Sequence, residues 1–184
     1  MRIILASGSP RRRDILAGMG YKFDVILPNI AEITGKKRPS AVVQDIALKK
    51  AFAVASLYPD ALVIGGDTVV YCKGRIIGKP KNAKDALRIL HLENGSWQSV
   101  YSGLALICKN QKKCALGFDI TKCKARFLDE ETLKFLALKH LDKAGAYAMQ
   151  DKDDTFIERV IGSYDNVVGM PTELLKKMMK EFGK

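Results

Sequence analysis

No stretch constrains the fold more than the first thirteen residues. A short apolar run at residues 3–6 meets Ser7-Gly8-Ser9-Pro10 and then Arg11-Arg12-Arg13. The run suits a brief buried strand. Ser9 is placed to cap a helix whose first turn holds Pro10, and that helix is expected to end at Gly18 or Gly20. A strand, a tight loop and a helix in so little chain is the opening of an α/β protein.

The rest of the chain keeps mixing the two element types. Residues 21–27 read as a second strand and residues 28–39 as a polar loop, after which Ser40 caps a long helix running to about Leu57. Residues 62–79 hold two β-rich runs around Lys73-Gly74, a hairpin signal, and Gly65-Gly66 is expected to break the first run. Asn82, with Asp85 three residues on, caps a helix ending near Asn94-Gly95. Residues 98–108 and 114–127 read as a long antiparallel hairpin. Asp129 caps a helix to about His140, residues 155–161 give a late strand, and Pro171-Thr172 opens a C-terminal helix. This order predicts an α/β fold whose sheet is not purely parallel. No repeat, low-complexity tract or Pro/Gly linker divides the 184 residues, so one domain over residues 1–184 is expected.

Composition excludes several classes. With 47% hydrophobic and 28% charged residues the chain is globular. Its longest apolar stretches fall far short of the ~18 residues a membrane helix needs. The N-terminus lacks the pattern of a secretory signal, so a cytoplasmic location is expected. Cys72, Cys108, Cys114 and Cys123 include no Cys-x-x-Cys pair and read as free thiols.

Net charge is +11, and residues 1–92 carry 16 Lys/Arg against 7 Asp/Glu, whereas residues 93–184 carry 15 against 13. A basic N-terminal half points to a polyanion: nucleic acid, an anionic surface, or the phosphates of a small ligand. A solubilising basic surface accounts for the charge equally well. Aromatics are only 8% and do not alternate with the basic residues, which disfavours a nucleic-acid-binding module.

Candidate chemistry lies in the first eighty residues. His91 and His140 fall in predicted helices, away from any nucleophile or metal-ligand spacing, and read as helix-surface residues. The segment from Ser7 to Arg13 joins a helix start to guanidinium groups, which makes either a phosphate receptor or merely a capped helix with a solvated arginine run. At ~100° per residue, Val43, Ala47, Val54 and Leu57 share one helix face and Lys50 lies within it, while Lys49 falls on the polar side with Asp45 and Ser56. An inward ammonium must snorkel, pair with a carboxylate or line a cleft, and the cleft is the favoured reading. Asp67 follows Gly65-Gly66 at the expected end of an apolar strand, where ligands are often met, though an ordinary turn explains it too. Lys79 closes the same hairpin unit. Glu32 is the sole acid of its loop. A hard divalent cation takes one or two carboxylates plus phosphate oxygens, so Glu32 and Asp67 suit a modest metal site. Arg11, Arg12, Lys50 and Lys79 then suit a triphosphate, with water attacking phosphorus.

Five motifs carry a resemblance. Ile4-Leu5-Ala6-Ser7-Gly8-Ser9-Pro10-Arg11-Arg12, Ile64-Gly65-Gly66-Asp67-Thr68, Gly78-Lys79-Pro80, Asp142-Lys143-Ala144-Gly145-Ala146-Tyr147 and Val168-Gly169-Met170-Pro171 stand in one order over nearly the whole chain. Together they resemble the Maf family of nucleoside triphosphate pyrophosphatases. The resemblance implies an inosine-triphosphatase-like α/β fold, a mixed twisted sheet with flanking helices in two lobes around a central cleft. It also implies hydrolysis between the α and β phosphates with Mg²⁺ or Mn²⁺, and a homodimer. By the same resemblance Asp67 is the acceptor of a proton from water, and Glu32 its partner at the metal. Arg11, Arg12, Lys50 and Lys79 bind phosphates, with Ser7 lining the same loop. The motifs look like the branch acting on dTTP and UTP, in which Arg11, Thr68 and Gln150 tune base choice.

Two departures from the family pattern stand out. Ala31 occupies a position where many relatives have a second acid, and Ala148-Met149-Gln150-Asp151 replaces Gly-Ile-Gln-Gly. Competing readings are a basic nucleic-acid-binding module and a nucleotide sensor without turnover.

Overall fold

The computed structural model describes residues 1–149, 151 and 154–183. In chain order the elements are β1 (Ile3–Ala6), α1 (Pro10–Gly18), β2 (Asp24–Val25), α2 (Pro39–Ala55), β3 (Leu62–Cys72), β4 (Arg75–Ile77), α3 (Ala83–Glu93), β5 (Trp97–Cys108), β6 (Lys113–Ala125), α4 (Glu130–Ala137), a 3₁₀ turn (Ala144–Ala146), β7 (Ile157–Ile161), α5 (Tyr164–Val168) and α6 (Thr172–Glu181). The sheet runs β2-β1-β3-β5-β6-β7, with β4 on β3. β1 is parallel to β2 and β3, while β3–β4 and β6–β7 are antiparallel. The expected mixed α/β architecture is what the chain adopts.

The chain forms two compact units. The first comprises Met1–Asp67, Ser102–Asp119 and Gly169–Lys184; the second comprises Thr68–Tyr101 and Ile120–Val168. In the first, strand alternation sorts side chains onto two faces. Ile3, Leu5, Leu62, Ile64, Leu104 and Leu106 pack with Leu16 of α1 and with Leu175, Met178 and Met179 of α6. The opposite residues, Ile4, Ala6, Val63, Ala105 and Ile107, meet Ala47, Ala51 and Val54 of α2. The α2 side is built of small residues because the helix lies close. A Cβ on Gly65 would collide with the Ala47 carbonyl oxygen, and one on Gly103 with the Val43 backbone.

The second unit packs α3 and α4 on one face. Ile89, Leu90, Leu133 and Leu136 meet Val70, Val100, Cys123 and Ala125, joined by Tyr147 and Phe156. The other face of β6 is solvated, with exposed Ile120 and Lys122 alternating with buried Thr121 and Cys123.

Several expectations need correction. Gly65-Gly66 does not break a strand: β3 runs unbroken from Leu62 to Cys72, since the glycines answer to α2 rather than to a turn. The second strand is only two residues long. Ser40 does not cap α2; the helix opens with Pro39 after Arg38, without a side-chain cap. Leu57 lies beyond α2 and is 73% exposed. α4 stops at Ala137, so His140 is outside it, and His140 is buried rather than on a helix surface. The Lys73-Gly74 hairpin is present, with φ of 46° and 78°, the paired left-handed backbone of a tight two-residue turn. Ser9, Asn82 and Asp129 all cap as expected, each accepting from the backbone N–H three residues on.

Candidate active site

Lys50 enters the first unit from the α2 face that packs on the sheet, and its flanking small residues Ala47 and Ala51 let the helix sit close enough to bury it. Its Nζ lies 2.9 Å from Asp67 Oδ1 and 3.0 Å from Glu32 Oε1. Lys50 and Asp67 are buried, while the Glu32 side chain is 55% exposed. A buried ammonium thus meets one internal and one solvent-facing carboxylate, which removes the penalty of an isolated charge. Burial pushes the Asp67 carboxyl above its ordinary range; Lys50 and Arg12 oppose that shift, and Glu32 adds to it.

Arg12 is the second buried cation. The turn of α1 after the Ser9 cap points it inward, where Nε donates to the Gly169 carbonyl at 2.8 Å and Nη1 to Ser7 Oγ at 3.2 Å. The same Oγ accepts from Ser9 N at 3.2 Å. Burial lowers the Arg12 pKa, with Asp67 and Glu32 raising it and Arg11 lowering it further. Room for the guanidinium comes from Gly66, where a Cβ would sit 3.1 Å from Arg12 Nε. So Gly66 serves the arginine and Gly65 serves the helix.

Asp67 stands in mid-strand, not at a strand end as expected, because β3 continues into the second unit. Arg11 is half-buried beside Arg12 on α1. Thr68 is half-buried and Lys79 exposed, both in the second unit. Gln150 lies outside the described residues.

Lys49, set aside from sequence as a polar-side residue, has a role there after all. Its Nζ pairs with Asp45 Oδ2 at 2.7 Å and donates to the Ile33 carbonyl at 2.8 Å. Asp45 is also hydrogen-bonded to the Thr34 side chain. This clasp ties to α2 the loop residue next to Glu32. No local pattern announces it, because the acceptor is a backbone carbonyl sixteen residues away.

The first unit is a three-layer α/β/α arrangement, and its buried charges are of a kind suited to phosphate chemistry. The Maf-like protein family matches over residues 2–182, and the chain belongs to that family. It is 59% identical over 183 residues to the dTTP/UTP pyrophosphatase of Elusimicrobium minutum, covering the whole of both chains. To the dTTP/UTP pyrophosphatase of Acetivibrio thermocellus it is 40% identical, across all of this chain and 96% of that one. The Staphylococcus aureus Ham1 protein shares the fold, with a TM-score of 0.56 at 13% identity over 98% of this chain and 99% of that one.

Proposed function

We propose that this protein hydrolyses nucleoside triphosphates, dTTP and UTP among them, to the monophosphate and pyrophosphate by attack of water at the α-phosphorus. The observation that carries the reading is Lys50, buried and shared by Asp67 and Glu32, in a chain 59% identical to a dTTP/UTP pyrophosphatase along its whole length.

Asp67 takes the proton of the attacking water. Burial raises the Asp67 carboxyl above its ordinary range, and basicity climbs with pKa, which favours it as the base. Lys50 holds Asp67 oriented and offers positive charge to the phosphoryl oxygens. Arg11, Arg12 and Lys79 bind the remaining phosphate charge, and Ser7 fixes the Arg12 guanidinium from behind. Thr68 and Gln150, with Arg11, select the base; an amide donates and accepts at once, as a pyrimidine edge requires.

The donor set fits a hard divalent cation. Two carboxylates already converge on one cation, and no group of three or more His, Cys, Asp or Glu suited to a metal occurs among the described residues. Phosphate oxygens and water would complete the shell, as Mg²⁺ prefers. Glu32 and Asp67 would hold Mg²⁺ or Mn²⁺, which when bound neutralises phosphate charge and lowers the pKa of water. The proposal includes a single functional domain over residues 1–184, a cytoplasmic location and a homodimer. The exposed apolar pair Leu116 and Phe118 on β6 supports the dimer, and sedimentation tests it.

The test is pyrophosphate release with Mg²⁺ from a panel holding dTTP, UTP and modified pyrimidine nucleotides. Release is expected from pyrimidines first; silence across the panel ends the proposal. Asp67→Asn is expected to bind nucleotide without turnover, which separates an enzyme from a sensor.

A further inference from the structure

Arg12 is the only buried arginine among the described residues. Burial strips the guanidinium of water, so its N–H groups need acceptors inside the fold. Two come from opposite ends of the chain. The Ser7 hydroxyl accepts from Nη1 at 3.2 Å, and the Gly169 carbonyl accepts from Nε at 2.8 Å across 157 residues. Acceptors on two nitrogens of one planar group fix its position and its tilt together. Both are neutral, so they orient the guanidinium and leave its charge in place.

The backbone at Gly169 is suited to holding that carbonyl still. Its φ is 122°, a conformation that side chains rarely adopt. Met170, the next residue, is fully buried in the cluster that holds Leu5, Leu16, Ile64 and Leu175. Pro171 follows, and its carbonyl accepts from Leu175 N at 2.9 Å as α6 begins. The peptide that carries the Gly169 oxygen therefore lies between a glycine backbone and a core anchor.

The arginine stem is confined as well, since a Cβ on Gly66 would lie 3.3 Å from Arg12 Cδ. Asp67 and Glu32, the carboxylates that share Lys50, raise the Arg12 pKa against burial. The fixed guanidinium thus belongs to the same charge cluster.

We propose that Gly169 is a positioning residue for phosphate binding: its carbonyl, with the Ser7 hydroxyl, holds the Arg12 guanidinium in the plane in which it meets phosphate oxygens. A free arginine gives up several rotors on meeting an anion, whereas this one has given them up on folding. The inference rests on that part of the pyrophosphatase reading which makes Arg12 a phosphate ligand. Gly169 itself touches no substrate.

The test measures binding of inorganic triphosphate with Mg²⁺ by calorimetry in the wild type, Gly169→Ala, Arg12→Lys and the double variant. Lysine keeps the charge and has no plane to fix. Gly169→Ala is expected to weaken triphosphate binding about tenfold when Arg12 is present. In the Arg12→Lys background the same change is expected to cost less than about twofold, because both substitutions remove one interaction. Equal losses in the two backgrounds mark a structural defect at the start of α6 and overturn the proposal. Hydrogen exchange of the Arg12 Nε proton is expected to be slow in the wild type and about tenfold faster in Gly169→Ala, with amide exchange at Ile64 and Leu106 unchanged.

If Gly169→Ala does not fold, the wild type decides. A scalar coupling across the hydrogen bond from Arg12 Nε to the Gly169 carbonyl carbon is expected, and an Nε proton that exchanges as fast as that of exposed Arg75 overturns the proposal. A protein that binds triphosphate with the expected pattern but releases no pyrophosphate from any nucleotide ends the enzyme reading and keeps the positioning role. One that turns over dTTP while Gly169→Ala binds triphosphate as the wild type does ends the positioning role and keeps the enzyme.

Discussion

Lys50 Nζ and Asp67 Oδ1 lie 2.9 Å apart across seventeen residues of chain, one carried by a helix and the other by the strand beneath it. Replacing Lys50 with Met leaves the buried Asp67 carboxylate without its main partner. The expected loss is about 3 kcal/mol, the usual result of breaking one side of a buried pair, with turnover down ~10²–10³-fold. Adding Asp67→Asn is expected to restore most of the stability and none of the activity. Urea unfolding and pyrophosphate release measure the two; a single variant as stable as the wild type contradicts the pairing.

The Lys49 clasp predicts a different signature. Lys49→Ala frees the Ile33 carbonyl and loosens Glu32, whose other hold is on Lys50. Because the clasp is solvent-exposed, the stability change is expected to stay within about 1 kcal/mol. The Mg²⁺ concentration for half-maximal rate is expected to rise several-fold. Titrating the metal against rate checks it, and an unchanged midpoint removes Lys49 from the account.

Gly65→Ala tests how closely α2 approaches β3. The added methyl runs into the Ala47 carbonyl and the Ala51 backbone, which cannot move aside as a flexible side chain would. A loss of about 1–3 kcal/mol is expected from overpacking, read as a lower urea midpoint. Gly18→Ala is the control, since a Cβ there meets nothing within 4 Å.

Glu93 predicts a pH effect in the second unit. It is fully buried, both carboxylate oxygens lack a hydrogen-bond partner among the described residues, and burial holds its carboxyl well above the ordinary carboxylate range. A folded pKa raised above the unfolded one means that the native state binds the extra proton. Stability is therefore full below the unfolded value and declines as pH rises toward the folded one. Glu93→Gln abolishes that titration, so its thermal midpoint relative to wild type is expected to be higher at pH 8 than at pH 5. Equal differences at the two pH values contradict a buried, protonated Glu93.

Much of the fold was legible because caps and turns are local. Ser9, Asn82 and Asp129 each reach a backbone N–H three residues on, and the Lys73-Gly74 turn needs only its own two residues. Gly65-Gly66 misled for the opposite reason: what requires glycine there is a helix that precedes it by more than ten residues. Of the candidate site, Lys50 was found by helix phase and Asp67 with Glu32 by charge type. Lys49 was missed because its acceptor is a backbone carbonyl; outside the site, the burial of His140 was missed because the helix expected to carry it ends early.

From sequence alone came the alternation of elements, the inward face of Lys50 and the ordered motifs of the family, all of them encoded in spacings of a few residues. Folding alone decided that Glu32 and Asp67 share one ammonium and that Gly66 makes room for Arg12. Those contacts join residues far apart along the chain, and their energies depend on burial, which no single stretch of sequence specifies.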